Sequence, residues 1–119
     1  MKESQKLEFK KSLAERKEIL ETISAFSNTK GGKIVVGIEE NKDGTIKEVV
    51  GVKVKGREIV NLTNEIKQNT DPVIFPSMEL EKMEGMDVLV IEVKESLVKP
   101  VFSSTKAFKR VGRSNVKLS

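Results

Sequence analysis

Ala25-Phe26-Ser27-Asn28-Thr29-Lys30-Gly31-Gly32-Lys33-Ile34-Val35-Val36-Gly37-Ile38 decides the fold, because one hydrophobic pattern stops and another starts inside it. Upstream of the glycines, Leu13, Ile19, Leu20, Ile23 and Phe26 recur at spacings that put most of them on one helical face. A helix is therefore predicted from Ser12 to about Asn28, with Ser12 and Glu15 in the S-x-x-E form of a capping box. Gly31-Gly32 should end it, since glycine enters the left-handed region without a Cβ penalty. Ile34 to Ile38 is then a continuous apolar run, the pattern of a strand buried on both faces, and is expected at the centre of a sheet.

Outward from this stretch, Leu7-Glu8-Phe9 reads as a short strand or extended lead-in. Asp43-Gly44 has hairpin turn chemistry, so Thr45 to Val52 should return antiparallel to the Ile34–Ile38 strand. Ile59, Leu62 and Ile66 give a second amphipathic helix that follows Gly56, runs to about Asn69 and is stopped by Asp71-Pro72. Met78 and Leu80 lie in a strand that turns near Glu84-Gly85 into Val88-Leu89-Val90-Ile91, a second apolar strand. Beyond Pro100, Ala107 to Val111 reads as a last strand, and Gly112 to Asn115 as a turn. With no repeat or linker in 119 residues, the expectation is one α+β domain over residues 1–119, two helices packed on a mixed, largely antiparallel β-sheet.

The chain has no Cys and no His, which excludes a disulfide framework, the usual zinc site and any His-based triad. Catalysis would have to use carboxylates, Lys, Ser or Thr. Nothing resembles a signal peptide, and no apolar run approaches the roughly 20 residues that span a bilayer, so a cytoplasmic protein without a membrane partner is expected.

Charge is divided unevenly along the chain. Six of the 22 basic residues (Lys99, Lys106, Lys109, Arg110, Arg113 and Lys117) and none of the 18 acidic ones fall between Ser96 and Ser119, leaving a net charge of −2 on the rest. Clustered positive charge raises the local potential and speeds encounter with anions. The candidate nucleic-acid contacts are therefore Lys99, Lys106, Lys109, Arg110 and Arg113, with Ser114 and Asn115 as polar neighbours suited to phosphate oxygens. Phe108 is expected in the core rather than as a stacking platform. Gly31-Gly32-Lys33 is not a phosphate-binding P-loop, since G-x-x-x-x-G-K-[ST] is absent.

Four segments carry a resemblance. They are Glu3-Ser4-Gln5-Lys6-Leu7-Glu8-Phe9-Lys10, Ser24 to Gly32 running into Gly37-Ile38-Glu39-Glu40, Lys99-Pro100, and Arg110-Val111-Gly112-Arg113-Ser114-Asn115. In this order they resemble the Schlafen AlbA-like domain family, a nucleic-acid-binding module of prokaryotic transcriptional regulators related to the Schlafen core. The resemblance implies a domain that holds DNA or RNA, with a homodimer as one expected assembly. It also implies a metal-dependent endoribonuclease as the alternative activity. Glu3 and Glu8 match the first two positions of the acidic triad of Schlafen nucleases, and the third, usually Asp, would fall on Glu40 or on Glu39. Glu3, Glu8 and Glu40 are thus the candidate catalytic and metal-binding residues, with Mg²⁺ or Mn²⁺ as the ion. A domain that only oligomerises or binds protein is the third expectation.

Overall fold

The computed structural model describes residues 1–119. The chain runs β1 (Leu7–Lys10), α1 (Arg16–Ser27), β2 (Gly32–Val36), β3 (Ile38–Glu40), β4 (Ile46–Val49), α2 (Gly56–Asn69), β5 (Thr70–Asp71), β6 (Ser77–Met83), β7 (Met86–Val93), β8 (Phe102–Ser103), β9 (Lys106–Val111) and β10 (Ser114–Lys117). The α+β class holds, but the strands divide between two four-stranded sheets and a ribbon. One sheet has the order β1-β2-β7-β6, the other β10-β9-β8-β5, and β3 pairs with β4. Only β1 and β2 pair in parallel; the remaining ladders are antiparallel.

The apolar run at Ile34–Val36 has the predicted cause. Ile34 and Val36 face one way, into a core built with Ile19, Ile23 and Phe26 of α1 and Leu62 and Ile66 of α2. Val35 faces the other way, against Phe9, Val88, Ile38 and Val49. A strand with helices on one side and a ribbon on the other has no polar face to spare.

Three local expectations are corrected. Helix α1 begins at Arg16 rather than Ser12, because the two capping-box residues serve a turn ahead of it. Ser12 Oγ accepts from the Ala14 N–H at 3.2 Å, and Glu15 Oε2 accepts from the Lys11 N–H at 2.9 Å. Ser114 and Asn115 do not lie in a turn. Gly112 and Arg113 alone make it, and β10 pairs back on β9 with Ser114 opposite Val111 and Asn115 opposite Arg110.

The third correction positions the site. The expected Ile34–Ile38 strand breaks at Gly37, whose φ is +115°. The Gly37 N–H donates to Lys10 O at 2.7 Å, while its carbonyl accepts from Val50 and Gly51. The chain thereby leaves the sheet, and Ile38–Glu40 pairs with β4 instead. A Cβ at Gly37 would stand 3.1 Å from the Gly51 backbone and 3.2 Å from Val88 Cγ1. Gly37→Ala is therefore expected to cost about 1–3 kcal/mol, read as a lower urea midpoint at unchanged slope. A midpoint equal to the parent's would mean that the bend does not need glycine.

Candidate carboxylate centre and its buried arginine

Two segments remote in sequence bring three carboxylates to the same place. Glu3 lies ahead of β1, where its N–H donates to Gly44 O at 2.8 Å in the β3–β4 turn. Glu8 is in the middle of β1, and Glu40 ends β3 beyond the Gly37 bend. One carboxylate oxygen from each lies within 4.8 Å of the others. Glu3 and Glu8 are each only 6% exposed, whereas Glu40 is exposed. Glu39 faces away, toward Lys11 at 3.7 Å and Lys47 at 3.5 Å. Of the two candidates for the third position, Glu40 is therefore the one in the cluster.

Beneath the carboxylates lies Arg110, whose side chain is fully buried. Its five N–H groups are all directed inward. Nη1 donates to Glu8 Oε1 at 2.6 Å and to Asn115 Oδ1 at 2.9 Å. Nη2 donates to Ser4 O at 2.9 Å and Leu7 O at 3.1 Å, and Nε to Ser4 O at 3.3 Å. The guanidinium sits over the Phe26 ring, 5.0 Å from its centroid. Asn115 Nδ2 in turn donates to Thr22 Oγ1 at 2.8 Å.

The expected phosphate-facing role of Arg110 and Asn115 is thus corrected. Both are consumed in holding β10, β9 and α1 to the start of β1. The signal was available in the strand period: Phe108 and Arg110 are two residues apart, so a buried Phe108 puts Arg110 on the inner face.

Helix α1 holds β9 with side chains where β8 has ended. Ser24 Oγ accepts from the Phe108 N–H at 3.1 Å and donates to Val101 O at 2.7 Å. Asn28 accepts from the Val101 N–H at 2.7 Å and donates to Val101 O and Phe108 O, both at 2.9 Å. Thr29 Oγ1 accepts from the Arg110 N–H at 2.8 Å. The Ser24–Gly32 segment is therefore more than a helix cap. Its polar residues supply the bonds that a neighbouring strand would have made.

Burial raises the pKa of both inner carboxyls. Glu8 is pushed up to about 7, first by desolvation and then by Glu3, against the opposing pull of Arg110. Glu3 is raised by desolvation and then by Glu40. The remaining neighbours are cationic and more distant: Lys10 Nζ is 3.5 Å from Glu8 Oε2, and Arg113 Nη1 is 3.6 Å from Glu3 Oε1. Arg113 also donates to Lys42 O at 2.6 Å and stays partly exposed at the edge of the cluster.

The other predicted contacts are scattered. Lys106, Lys109 and Ser114 are exposed. Lys99 forms an ion pair with Glu95 and precedes a cis peptide bond to Pro100. Lys109 projects from the face of β9 opposite to Arg110, whereas Lys99, Lys106 and Lys117 line one depression of about 610 Å³. Phe108 is buried, so it offers no stacking face.

A family model described as Schlafen, AlbA_2 matches residues 3–119. Among solved structures, the N-terminal domain of a RecG-related protein from Nitrosomonas europaea, named for an ATP-dependent DNA helicase, is similar. Its TM-score is 0.72 at 25% identity, covering 100% of this chain and 86% of that one. The DIP2311 protein of Corynebacterium diphtheriae is similar in fold, with a TM-score of 0.73 at 24% identity over 96% of this chain. The chain spans 25% of that protein's length. No curated protein matches.

Proposed function

Because the chain belongs to the Schlafen AlbA_2 family, we propose that it binds nucleic acid and engages the phosphate backbone at the Glu3–Glu8–Glu40 centre through Mg²⁺ or Mn²⁺, as a metal-dependent endoribonuclease would. The observation that carries this reading is the convergence of three carboxylate oxygens within 4.8 Å, two of them on buried side chains. Ligands of one Mg²⁺ or Mn²⁺ at about 2.0–2.2 Å stand no more than about 4.4 Å apart, so the three carboxylates would close slightly on the ion, and an all-oxygen set suits hard divalent cations. When bound, the ion would polarise a phosphoryl oxygen and lower the pKa of a water.

The chain's own residues prepare that role. Arg110 neutralises one of the two inner charges, so that both can stay in a desolvated place. The Phe9 N–H fixes Glu3 by donating to its Oε2 at 2.9 Å. Glu40, exposed and on the ribbon, would supply the ligand nearest solvent. Arg113 at the edge is placed to meet an adjacent phosphate oxygen, a charge-assisted contact.

Glu40 is the residue for the test, since removing an exposed carboxylate leaves the buried Glu8–Arg110 pair intact. The parent chain with tRNA and Mn²⁺ should give discrete cleavage that EDTA stops. Glu40→Gln should lower the rate at least about 100-fold with an unchanged thermal midpoint. Equal cleavage by the variant would sink the assignment.

A second reading keeps the nucleic acid and omits the metal. The depression lined by Lys99, Lys106 and Lys117 favours it, because no acidic residue shares that lining. Backbone binding of this kind depends steeply on salt and survives EDTA.

A further inference from the structure

A group of four lysines lies outside the acid-free C-terminal segment. Lys6, Lys30, Lys33 and Lys94 are exposed and belong to none of the protein's ion pairs. All four line one depression of about 380 Å³ beside Gly31 and Gly32. Counting charge along the chain hides them, since they come from a region whose net charge is −2.

The fold gathers them for identifiable reasons. Lys6 and Lys33 meet where the parallel strands β1 and β2 begin, joined by the Lys33 N–H donating to Lys6 O at 2.9 Å. Lys94 follows β7, whose Val93 stands opposite Gly32. Lys30 is in the turn from α1, and a Cβ at Gly31 would lie 2.7 Å from Val93 O. Gly31, at a φ of +74°, thus lets the turn close onto the end of β7.

Two carboxylates share the rim and offset part of its charge, Glu95 being held below its ordinary pKa first by Lys99 and in part by Lys30 and Lys6. Glu92 is opposite Lys33 on the next strand, and Glu95 is engaged by Lys99. Lys99 is also the first lysine of the depression that holds Lys106 and Lys117. The Glu95–Lys99 pair therefore joins two basic hollows into one strip. Four lysines against two carboxylates leave the rim net positive, and an anionic partner relieves the repulsion that remains. Lysine ammonium groups are point charges without the fork geometry that reads planar groups, so they suit phosphate oxygens rather than base edges. A small anion would fill one hollow; a strip crossing two fits a polymer.

We propose that the Lys6–Lys30–Lys33–Lys94 rim is the principal phosphate-backbone contact of the domain, continued past Lys99 toward Lys106 and Lys117, and that it holds nucleic acid without sequence choice. This rests on the nucleic-acid reading above but not on the metal.

The test is an anisotropy titration of labelled single-stranded RNA and duplex DNA in EDTA, across about 50–200 mM salt. It compares the parent with Lys30→Ala/Lys33→Ala/Lys94→Ala and with Lys106→Ala/Lys109→Ala/Lys117→Ala. The rim variant should keep the parent's thermal midpoint, bind at least about tenfold more weakly, and show a log–log salt slope smaller by about 2–3. The C-terminal variant should lose less. Binding by the rim variant within twofold of the parent would overturn the rim while leaving the nucleic-acid reading intact. A parent chain that binds neither probe would remove both. Competition by polyglutamate as strong as by RNA, charge for charge, would assign the rim to acidic polypeptides instead.

Discussion

Replacing Arg110 with alanine is expected to destabilise the protein by about 3–5 kcal/mol, the usual loss when one partner of a buried ion pair is removed. The size follows from what is stranded. Glu8 would keep its buried position beside Glu3 with Lys10, at 3.5 Å, as its remaining counter-charge, and Ser4 O and Leu7 O would each be left with one backbone donor. Total stabilities of domains this size run at about 5–15 kcal/mol, so the variant should be near the edge of folding. Urea unfolding at pH 8 measures the loss directly. Glu8→Gln added to the Arg110→Ala background should recover part of it, because a neutral amide is cheaper to leave unpaired than a carboxylate. The loss should also shrink near pH 5, where Glu8 can accept a proton. A shift below about 1 kcal/mol at pH 8 would mean that the guanidinium is not the buried partner the geometry describes.

Divalent cations should stabilise the protein strongly at pH 8 and hardly at all at pH 5. Glu8 titrates at about 7 when folded against an ordinary 4.5, so between those values the folded chain holds a proton that the unfolded chain has released. The stability tied to that proton is complete below about 4.5 and is lost as pH rises through about 7. Metal binding runs the opposite way, because the carboxyl must ionise to act as a ligand. Below the folded pKa, each pH unit should cost about tenfold in Mn²⁺ affinity for one displaced proton. Thermal midpoints with and without millimolar Mn²⁺ should therefore diverge as pH rises, following the logarithm of occupancy. Glu40→Gln should retain the part of the metal-free pH dependence that Glu8 contributes, lose part of Glu3's, and lose the divergence. A metal effect of equal size at both pH values would place the ion elsewhere.

These outcomes rest on features that differ in how readable they were from sequence. Ile34–Val36 was legible because burial on two faces leaves an uninterrupted apolar run, and β7 repeats the pattern at Val88–Ile91. The Gly37 break was not, since a bend inside such a run changes no residue type. Glu3, Glu8 and Glu40 were singled out through the family motifs; no local pattern says that Glu3 is anchored by Gly44. Arg110 sits in an acid-free segment, but position in the chain says nothing of exposure; its burial is written in the alternation with Phe108. The lysine rim was invisible for the same reason, being drawn from the β1 lead-in, the α1–β2 turn and the end of β7.

The Arg110 bonds to Ser4 and Glu8 span 106 and 102 residues. Contacts that distant bear the full entropic cost of closing the chain before they return anything, so such pairings form late. During synthesis all three carboxylates and the β1, β2, β3 and β4 pairings that gather them leave the ribosome well before Arg110. The acids are thus made first and the guanidinium that offsets them last, so the centre is balanced only once β9 is in place.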